Sequence, residues 1–303
     1  MRLAEQATPP ASPRSNPFQE ERNGLARRRR VTNQLAVVLT GAFTVLASLF
    51  LLYLIVYVAG KGLQFINLDF FTQRPKPPGE TGGGWATALQ GTAVLIGLAA
   101  LIGVPLGMAV GIYLSEIGRG RFASLVRFLV DTLTGIPTVI FGLFAWVLIV
   151  VPSHSFSALS AGVALGIIMV PTVARATEEM LRLVPKELRE ASAALGATES
   201  RTVLRVVIPA ARSGIVTGIM LALARVAGET APLLLTAFGT SFFNTSLLRP
   251  IDAIPLRIFV FTLSPYAIEQ QQAFAGALVL IAFVLLTSLA IRWATGGFRV
   301  RRR

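Results

Sequence analysis

Long apolar runs without charged residues dominate this chain and limit what it can fold into. A transmembrane helix needs about 20 apolar residues to cross the roughly 30 Å of hydrocarbon in a bilayer. Six such runs occur, at residues 35–60, 91–113, 132–151, 156–174, 213–238 and 273–291. Only the fifth contains charged residues. The sequence therefore predicts an all-α integral membrane protein with six transmembrane helices.

Composition supports a membrane protein and argues against a soluble one. Charged residues make up only 14% of the 303 residues, whereas soluble domains carry about 25%. The net charge of +13 would suggest a nucleic-acid partner if the chain were soluble. However, if the chain crosses the membrane with each apolar run, every second connecting segment lies on the same side. The basic residues are concentrated in one such set of segments. By the positive-inside rule we expect a multi-pass protein of the cell membrane with both termini in the cytoplasm, and no nucleic acid.

The chain divides into segments by composition. Residues 1–30 are polar and end in four arginines, which is typical of a disordered cytoplasmic tail. The next apolar run exceeds the roughly 7 to 15 residues of a cleaved signal peptide, so we expect a retained anchor helix at 31–60. The remaining segments are an external loop at 61–90, a transmembrane core at 91–295 that includes a polar loop at 186–210, and a basic cytoplasmic tail at 296–303. The external loop and a second one at 239–272 either cap a pathway, meet an external partner or are plain connectors.

Residues suited to enzymatic chemistry are scarce. Cysteine is absent and His154 is the single histidine, so thiolate or histidine-rich metal sites are not expected. None of the aspartates, Asp69, Asp131 and Asp252, lies deep in an apolar run, which argues against a membrane-embedded aspartyl enzyme. The pattern G-x4-G-K-[ST], whose backbone cradles the phosphates of ATP, is absent as well. We expect no catalytic residue and no bound cofactor on this chain.

Two charges interrupt the fifth apolar run. Arg225 lies near its middle, roughly 18 Å from either membrane surface at the rise of an α-helix. A charge at that depth costs about 2.5 to 3.5 kcal/mol on insertion scales, so it should face protein, water or a ligand. Glu229 follows one helical turn later, where it can pair with Arg225. The two residues indicate either an ion pair that fixes helix packing or a site where the guanidinium binds an oxyanion.

Further charges flank the third and fourth runs. Arg175 and Glu178 are three residues apart, which places them on one helix face. They are either a solvated helix end or the exit of a pathway. Arg127 and Asp131, four residues apart, predict a salt bridge within an interfacial helix.

Small residues and prolines predict how the helices pack and where they bend. Gly103, Gly107 and Gly111 recur every four residues and should let a neighbouring backbone approach closely. Prolines inside or beside the runs should kink or break their helices. They are Pro105, Pro137, Pro171 and Pro232. Such breaks are either tolerated kinks or discontinuities that line a transport pathway.

The polar loop after the fourth run has apolar residues at helical spacing, which predicts two short amphipathic helices. Gly196 suits the left-handed residue that follows a helix, and Thr198 suits the cap of the next one. Pro209 should limit the second helix. An apolar face that the membrane does not cover is a plausible ridge for another protein's groove.

This loop resembles the EAA loop of permease subunits in ABC importers, with the pattern E-A-A-x3-G-x9-I-x-L-P. The matching residues are Glu190, Ala191, Ser192, Gly196, Val206, Ile208 and Pro209. Longer stretches are similar to one branch, the PstA-type permeases of phosphate importers. They are 67–71, 111–116, 135–137, 177–181 and 224–232, the last reading Ala-Arg-Val-Ala-Gly-Glu-Thr-Ala-Pro.

The resemblance implies a type I ABC importer (MetI-like) permease fold with a cytoplasmic coupling helix. It also implies four kinds of partner: a PstC-like second permease, two PstB-like ATPases that carry ATP and Mg²⁺, a PstS-like external phosphate-binding protein, and membrane lipid. The family's transport-linked charges fall on Arg175, Glu178 and Arg225. Glu229 joins them as a candidate pathway residue because it lies one helical turn from Arg225. Its ATPase-coupling residues fall on Glu190, Ala191, Ser192, Gly196 and Pro209.

The resulting hypothesis is a permease subunit that imports inorganic phosphate at the expense of ATP hydrolysed by partner subunits. One alternative is a permease for another oxyanion, such as sulfate or molybdate. An ion-coupled carrier working alone would leave the EAA loop without a role, and a membrane enzyme would lack its catalytic residues.

Overall fold

A computed structural model describes residues 17–294 and shows that this part of the chain is helical. Its only β-type contact within the described residues is an isolated bridge between Phe238 and Ile251. The helices in chain order are α1 Pro17–Gly62, α2 Leu68–Thr72, α3 Ala86–Ile112, α4 Gly120–Gly135, α5 Thr138–Ala145, α6 Val151–Ser153, α7 Ala158–Arg182, α8 Lys186–Ala194, α9 Glu199–Thr202, α10 Ile208–Ala227, α11 Ala231–Thr236, α12 Ile254–Thr262 and α13 Ala267–Ala294. The predicted all-α class is confirmed.

The chain separates into two units, which divide after Val56. The first unit is helical from Pro17 onward, and the apolar side chains along it, such as Leu39 and Phe50, are exposed. Residues 17–30, which the sequence assigns to the tail, are helical in the structure and are rich in Glu, Gln and Arg, all good helix formers. Residues 1–16 of that tail, and the predicted basic tail at 296–303, lie outside the described residues.

Five helical segments in the described range are long and apolar enough to cross a membrane. They are 28–65, 86–117, 158–182, 199–227 and 267–289. The pair 120–135 and 138–153 passes the same criteria together, but it is bent by 101°. Counting this pair as one span gives the six that the apolar runs predict.

The third predicted run is not one continuous helix. Helix α4 ends at Gly135, and the next two residues are extended before α5 begins at Thr138. Pro137 causes the break, because its ring disfavours a helical conformation for Ile136 and it has no N–H to donate. The expected discontinuity at Pro137 is confirmed.

The fifth predicted run is also interrupted. Helix α10 ends at Ala227, and α11 begins at Ala231 with Pro232 in its first turn. The interruption follows from the sequence Gly228-Glu229-Thr230 before a proline, which does not favour a helix. Arg225 thus lies in the last turn of α10 rather than in the middle of an unbroken helix.

The other prolines do not break their helices. Pro105 lies inside α3 and Pro171 inside α7, and both helices are continuous. Pro209 does not end a separate amphipathic helix, since a π-helical turn at Val203–Val207 joins α9 directly to α10. Each of these helices continues past its proline despite the loss of one backbone hydrogen bond, and only Pro171 is buried.

Helices α3 and α7 pack closely through small residues. A Cβ built at Gly103 would lie 2.7 Å from the Cβ of Met169, and one at Gly107 would lie 2.6 Å from the Cβ of Val173. Gly111 meets Thr177 in the same way. The predicted small-residue stripe is confirmed, and its register shows that α3 and α7 run in parallel.

The second unit has two ends. The loop end holds residues 183–207, and the opposite end holds residues 63–85. At the opposite end, the predicted outer loops contact each other: Gln90 donates to the carbonyl of Asn244 at 3.2 Å, and Gln272 donates to that of Gly82 at 3.2 Å. A cleft of about 630 Å³ between these loops is lined by residues that include Arg74, which faces the Phe242 ring at 5.5 Å.

Candidate functional site

Arg225 lies at the mid-depth of the helices in the second unit. Side chains built at Gly214 and Gly218 of α10 would collide with Met180 and Ala176 of α7, respectively. Each step along α10 toward the opposite end therefore matches one step back along α7, so the helices are antiparallel. Continuing this register for seven residues places Arg225 level with Met169, near the centre of the 25-residue α7. The predicted depth of Arg225 follows from this packing, and the break predicted at Pro232 lies just after it, between α10 and α11.

Arg225 is weakly paired and open. Its side chain is 47% exposed, whereas that of Glu229 is 16% exposed. The shortest N–O distance between them is 3.9 Å, from Arg225 Nε to Glu229 Oε1, which is too long for a hydrogen bond. The predicted proximity of the two residues is found, but the planar N–H groups of the guanidinium remain available to another acceptor.

Glu178 is the centre of a second charge cluster, near the loop end of α7. Its side chain is 1% exposed and contacts three arginines. Arg127 of α4 donates through Nε at 3.0 Å and Nη2 at 2.8 Å, Arg175 through Nη1 at 3.3 Å, and Arg182 pairs at 2.7 Å. A solvated helix end, one of the two predicted possibilities for Glu178, is therefore wrong.

Asp131 completes this cluster by pairing with Arg175. The salt bridge predicted between Arg127 and Asp131 within α4 is wrong, because both residues bond across to α7 instead. For Arg127, charge-assisted bonds to the buried Glu178 carboxylate are stronger than an exposed pair along one helix, and Asp131, which is 46% exposed, pairs with Arg175. The cluster fixes α4 to α7 and holds one more arginine than it has carboxylates. Along α7 it lies about 14 Å from the level of Arg225.

The polar loop contains the first predicted helix as α8, whereas the second is the four-residue α9, which continues through a π-helical turn into α10. Gly196 follows α8 with φ of +78°, in the left-handed region, which completes the helix end as expected. Thr198 occupies the cap position of α9 but makes no side-chain bond to that helix's first N–H groups. Ser192 is buried, and its hydroxyl lies 2.8 Å from that of Thr202, which joins α8 to α9.

The other predicted coupling residues lie on the surface of this loop. Glu190, Ala191, Gly196 and Pro209 are exposed. Large apolar side chains at the loop end are exposed too, with 90% for Leu195, 73% for Leu183 and 64% for Leu204. An exposed apolar ridge of this kind is typical of a docking surface.

The sequence prediction missed two ion pairs. One joins residues 73 apart in the chain, and the other joins a residue before α12 to one inside it, at a spacing of five that is not a helical contact. Glu116 pairs with Arg189 of α8 at the loop end. Asp252 pairs with Arg257 at the opposite end, and both side chains are about 5% exposed or less. Burial raises the pKa of the Asp252 carboxyl to about 6, even though Arg257 acts in the opposite direction. Thr87 contributes hydrogen bonds to both of these residues.

Residues 17–294 contain no group of His, Asp and Glu side chains arranged to hold a metal ion. His154 caps α6 in a left-handed conformation and is exposed. The described site is thus built from guanidinium and carboxylate groups alone, and guanidinium groups bind oxyanions through pairs of N–H donors.

Comparison with known proteins relates this architecture to ABC transport. The family described as the binding-protein-dependent transport system inner membrane component matches residues 103–300. The phosphate transport system permease protein PstA of Yersinia pestis is 42% identical over 265 residues, which are 87% of this chain and 90% of that protein.

Solved structures share the fold at low sequence identity. A chain of a bacterial alginate ABC transporter, in complex with an alginate-bound periplasmic protein, gives a TM-score of 0.61 at 15% identity and covers 90% of this chain and 96% of its own. A chain of the inward-facing MetNI methionine ABC transporter gives 0.59 at 21% identity, with 70% and 96% covered. These likenesses concern the fold.

Proposed function

Because the chain belongs to the binding-protein-dependent transport system inner membrane components, and shares 42% identity with a PstA phosphate permease, we propose that it is the permease subunit through which an ABC importer moves inorganic phosphate into the cytoplasm. The observation that carries this proposal is the position of Arg225. A guanidinium at mid-depth, with about half of its side chain open, offers an anion a favourable charge where the membrane otherwise repels it.

Arg225 acts in this mechanism as a transient ligand for phosphate. Its N–H groups can bind two phosphate oxygens at once, and Glu229 holds the side chain near the pathway while no anion is present. Since the exposed face of Arg225 is not covered by this subunit, a PstC-like second permease supplies the other wall of the pathway.

The Glu178 cluster lies at the cytoplasmic mouth in this proposal, with the loop end facing the cytoplasm as the positive-inside rule requires. Arg175 and Glu178 then contribute to the exit of the pathway. Because Arg175 bonds both Glu178 and Asp131, a phosphate that leaves the pathway has to compete with carboxylates for this arginine, which favours rapid release over tight binding.

The 186–210 loop connects the permease to its motor. Two PstB-like ATPases would bind ATP and Mg²⁺ and receive the exposed ridge that includes Leu195 and Leu204. A PstS-like protein would deliver phosphate at the opposite end. The residues of this chain then only transmit movement and guide the anion, and they take no part in nucleotide chemistry.

Transport measurements with the complete complex in vesicles test this function. We expect uptake of radioactive phosphate that requires ATP and that a large excess of sulfate does not inhibit. Equal inhibition by sulfate would favour the other-oxyanion alternative, and uptake driven by an ion gradient without ATP would favour a carrier working alone.

The Arg225→Met variant tests the role of the site within this function. We expect an assembled complex without phosphate uptake, and partial uptake for Arg225→Lys, which keeps the charge but loses the planar pair of donors. Normal uptake by Arg225→Met at saturating phosphate would contradict the proposed role of Arg225.

A further inference from the structure

Glu116 and Arg189 form an ion pair between two parts of the second unit that are 73 residues apart in the chain. Glu116 lies in a π-helical turn, Tyr113–Ile117, at the loop end of α3. Arg189 lies in the middle of α8, within the 186–210 loop. The pair thus joins a transmembrane helix to the segment proposed to contact the ATPases.

The geometry holds both side chains in place. The Glu116 side chain is 6% exposed, and the hydroxyl of Ser115 donates a hydrogen bond to its Oε1 at 2.8 Å. Arg189 is 27% exposed, and its second guanidinium nitrogen, Nη2, donates to the carbonyl oxygen of Leu181 at 2.8 Å. A single guanidinium therefore binds the ends of both α3 and α7, which is a two-point attachment.

A second attachment connects α8 to the helix that carries Arg225. The hydroxyls of Ser192 and Thr202 lie 2.8 Å apart, and Thr202 is continuous through a π-helical turn with α10. The two attachments have different targets: Arg189 contacts the close-packed helices α3 and α7, whereas Ser192 contacts the helix of Arg225. A displacement of α8 would then move both sides of the pathway wall together.

We propose that Arg189 and Glu116 are positioning residues that transmit the movement of α8 to helices α3 and α7. This inference rests on the proposed function, since it requires an ATPase that moves α8. Without the pair, α8 keeps its link to α10 through Ser192 but no longer moves α3 and α7 in step. ATP hydrolysis then continues while fewer phosphate ions cross per ATP.

The test measures phosphate transported per ATP hydrolysed, with the complete complex in vesicles that contain the binding protein. We expect Arg189→Met to lower this ratio about fivefold, the size of a modest coupling between sites, while the ATPase rate stays near that of the wild type. Glu116→Gln should act in the same direction. The charge swap Glu116→Arg with Arg189→Glu should recover part of the ratio, because it restores an ion pair at the same place.

Arg121→Met is the matched control. Arg121 is exposed at the start of α4 and its side chain forms no ion pair or hydrogen bond within residues 17–294, so its variant should keep the wild-type ratio. Arg189→Lys keeps one charge–charge contact and should give an intermediate ratio, and it serves if the methionine variant does not assemble.

The possible results separate this inference from the function on which it rests. Wild-type ratios for Arg189→Met, Glu116→Gln and Arg189→Lys would overturn the inference alone. A fall in ATPase rate and transport by equal factors would also overturn it, since that result indicates loss of docking or folding rather than of transmission. A wild-type complex that moves no phosphate would instead overturn the proposed function.

Discussion

Glu178 and Arg225 lie on two helices that pack against each other, yet their surroundings differ sharply. Glu178 is 1% exposed and contacts three arginines, two of them on its own helix. Arg225 is 47% exposed and has one distant carboxylate at 3.9 Å. Burying a charge is tolerable when partners satisfy it, whereas a charge left open at membrane depth needs a partner from outside the subunit.

This difference distinguishes a carboxylate that is satisfied by side chains of the same subunit, Glu178, from a guanidinium that is left open, Arg225. The Glu178 cluster is complete within this chain and fixes α4 to α7, so its removal should chiefly affect stability. Among residues 17–294 the Arg225 site has only the distant Glu229 carboxylate, so its removal should chiefly affect transport. The predictions below separate these two effects.

The largest expected effect on stability follows from Glu178→Gln. Breaking a buried ion pair costs about 3 to 5 kcal/mol when one partner is removed. The three arginines are 30%, 35% and 54% exposed, so solvent screens part of the remaining charge and we expect a loss of about 2 kcal/mol. Thermal unfolding of the purified complex in detergent measures this loss.

Glu179→Gln is the control for that experiment. Glu179 is the neighbouring residue, it is exposed, and it forms no ion pair among the described residues. Its variant should unfold at the wild-type temperature. Equal unfolding temperatures for the two variants would show that the Glu178 cluster does not stabilise the fold.

A smaller effect is expected from Glu229→Gln. Because Glu229 lies too far from Arg225 for a hydrogen bond, stability should change by less than about 1 kcal/mol. The amide competes less well than a carboxylate for the guanidinium, so phosphate should bind more tightly and leave more slowly. We expect KM for phosphate uptake and the maximal rate to fall together by about twofold. A rise in KM for phosphate uptake would contradict the idea that Glu229 and phosphate compete for Arg225.

A pH-dependent effect is expected at the Asp252–Arg257 pair, which resembles the Glu178 cluster in burial but lies at the opposite end. Burial raises the pKa of Asp252 from 3.8 to about 6, so the folded protein holds this proton more tightly than the unfolded chain. Its contribution to stability is therefore full below about pH 3.8 and is lost as the pH rises through about 6.

We accordingly expect the wild-type complex to lose more stability than Asp252→Asn between pH 5 and pH 7.5. Thermal unfolding of both proteins across that range measures the difference. Every other titrating group is present in both proteins, so its contribution cancels when the two curves are compared. Parallel curves, or a wild type that gains stability with pH relative to the variant, would contradict a raised pKa for Asp252.

The sequence was sufficient for the fold class and for the depth of Arg225. Apolar runs of membrane length, a glycine stripe and a loop with Gly196 at a helix end depend on local patterns, and the structure confirms each of them. Arg225 was identifiable because a charge in an apolar run conflicts with its surroundings.

The sequence was not sufficient for partners that are distant in the chain. The salt bridge expected between Arg127 and Asp131 relied on local spacing, whereas both residues bond to α7, which is more than 40 residues away. Glu116 and Arg189 have no local pattern that indicates their pairing. The breaks also required context: Pro137 ends a helix, while Pro171 lies within the close-packed α7 and does not.

The most direct measurement is chemical rescue at position 225. The chain contains no cysteine, so Arg225→Cys introduces a single reactive thiol whose labelling can be followed against the unsubstituted complex. Val226→Cys, at a residue that is 2% exposed, is the control and should not react. We expect the water-soluble reagent 2-aminoethyl methanethiosulfonate to label position 225, added phosphate to slow that labelling, and the attached ammonium group to restore part of the lost phosphate uptake. A thiol at 225 that does not react, or equal recovery with a neutral reagent of the same size, would contradict an anion-binding role for Arg225.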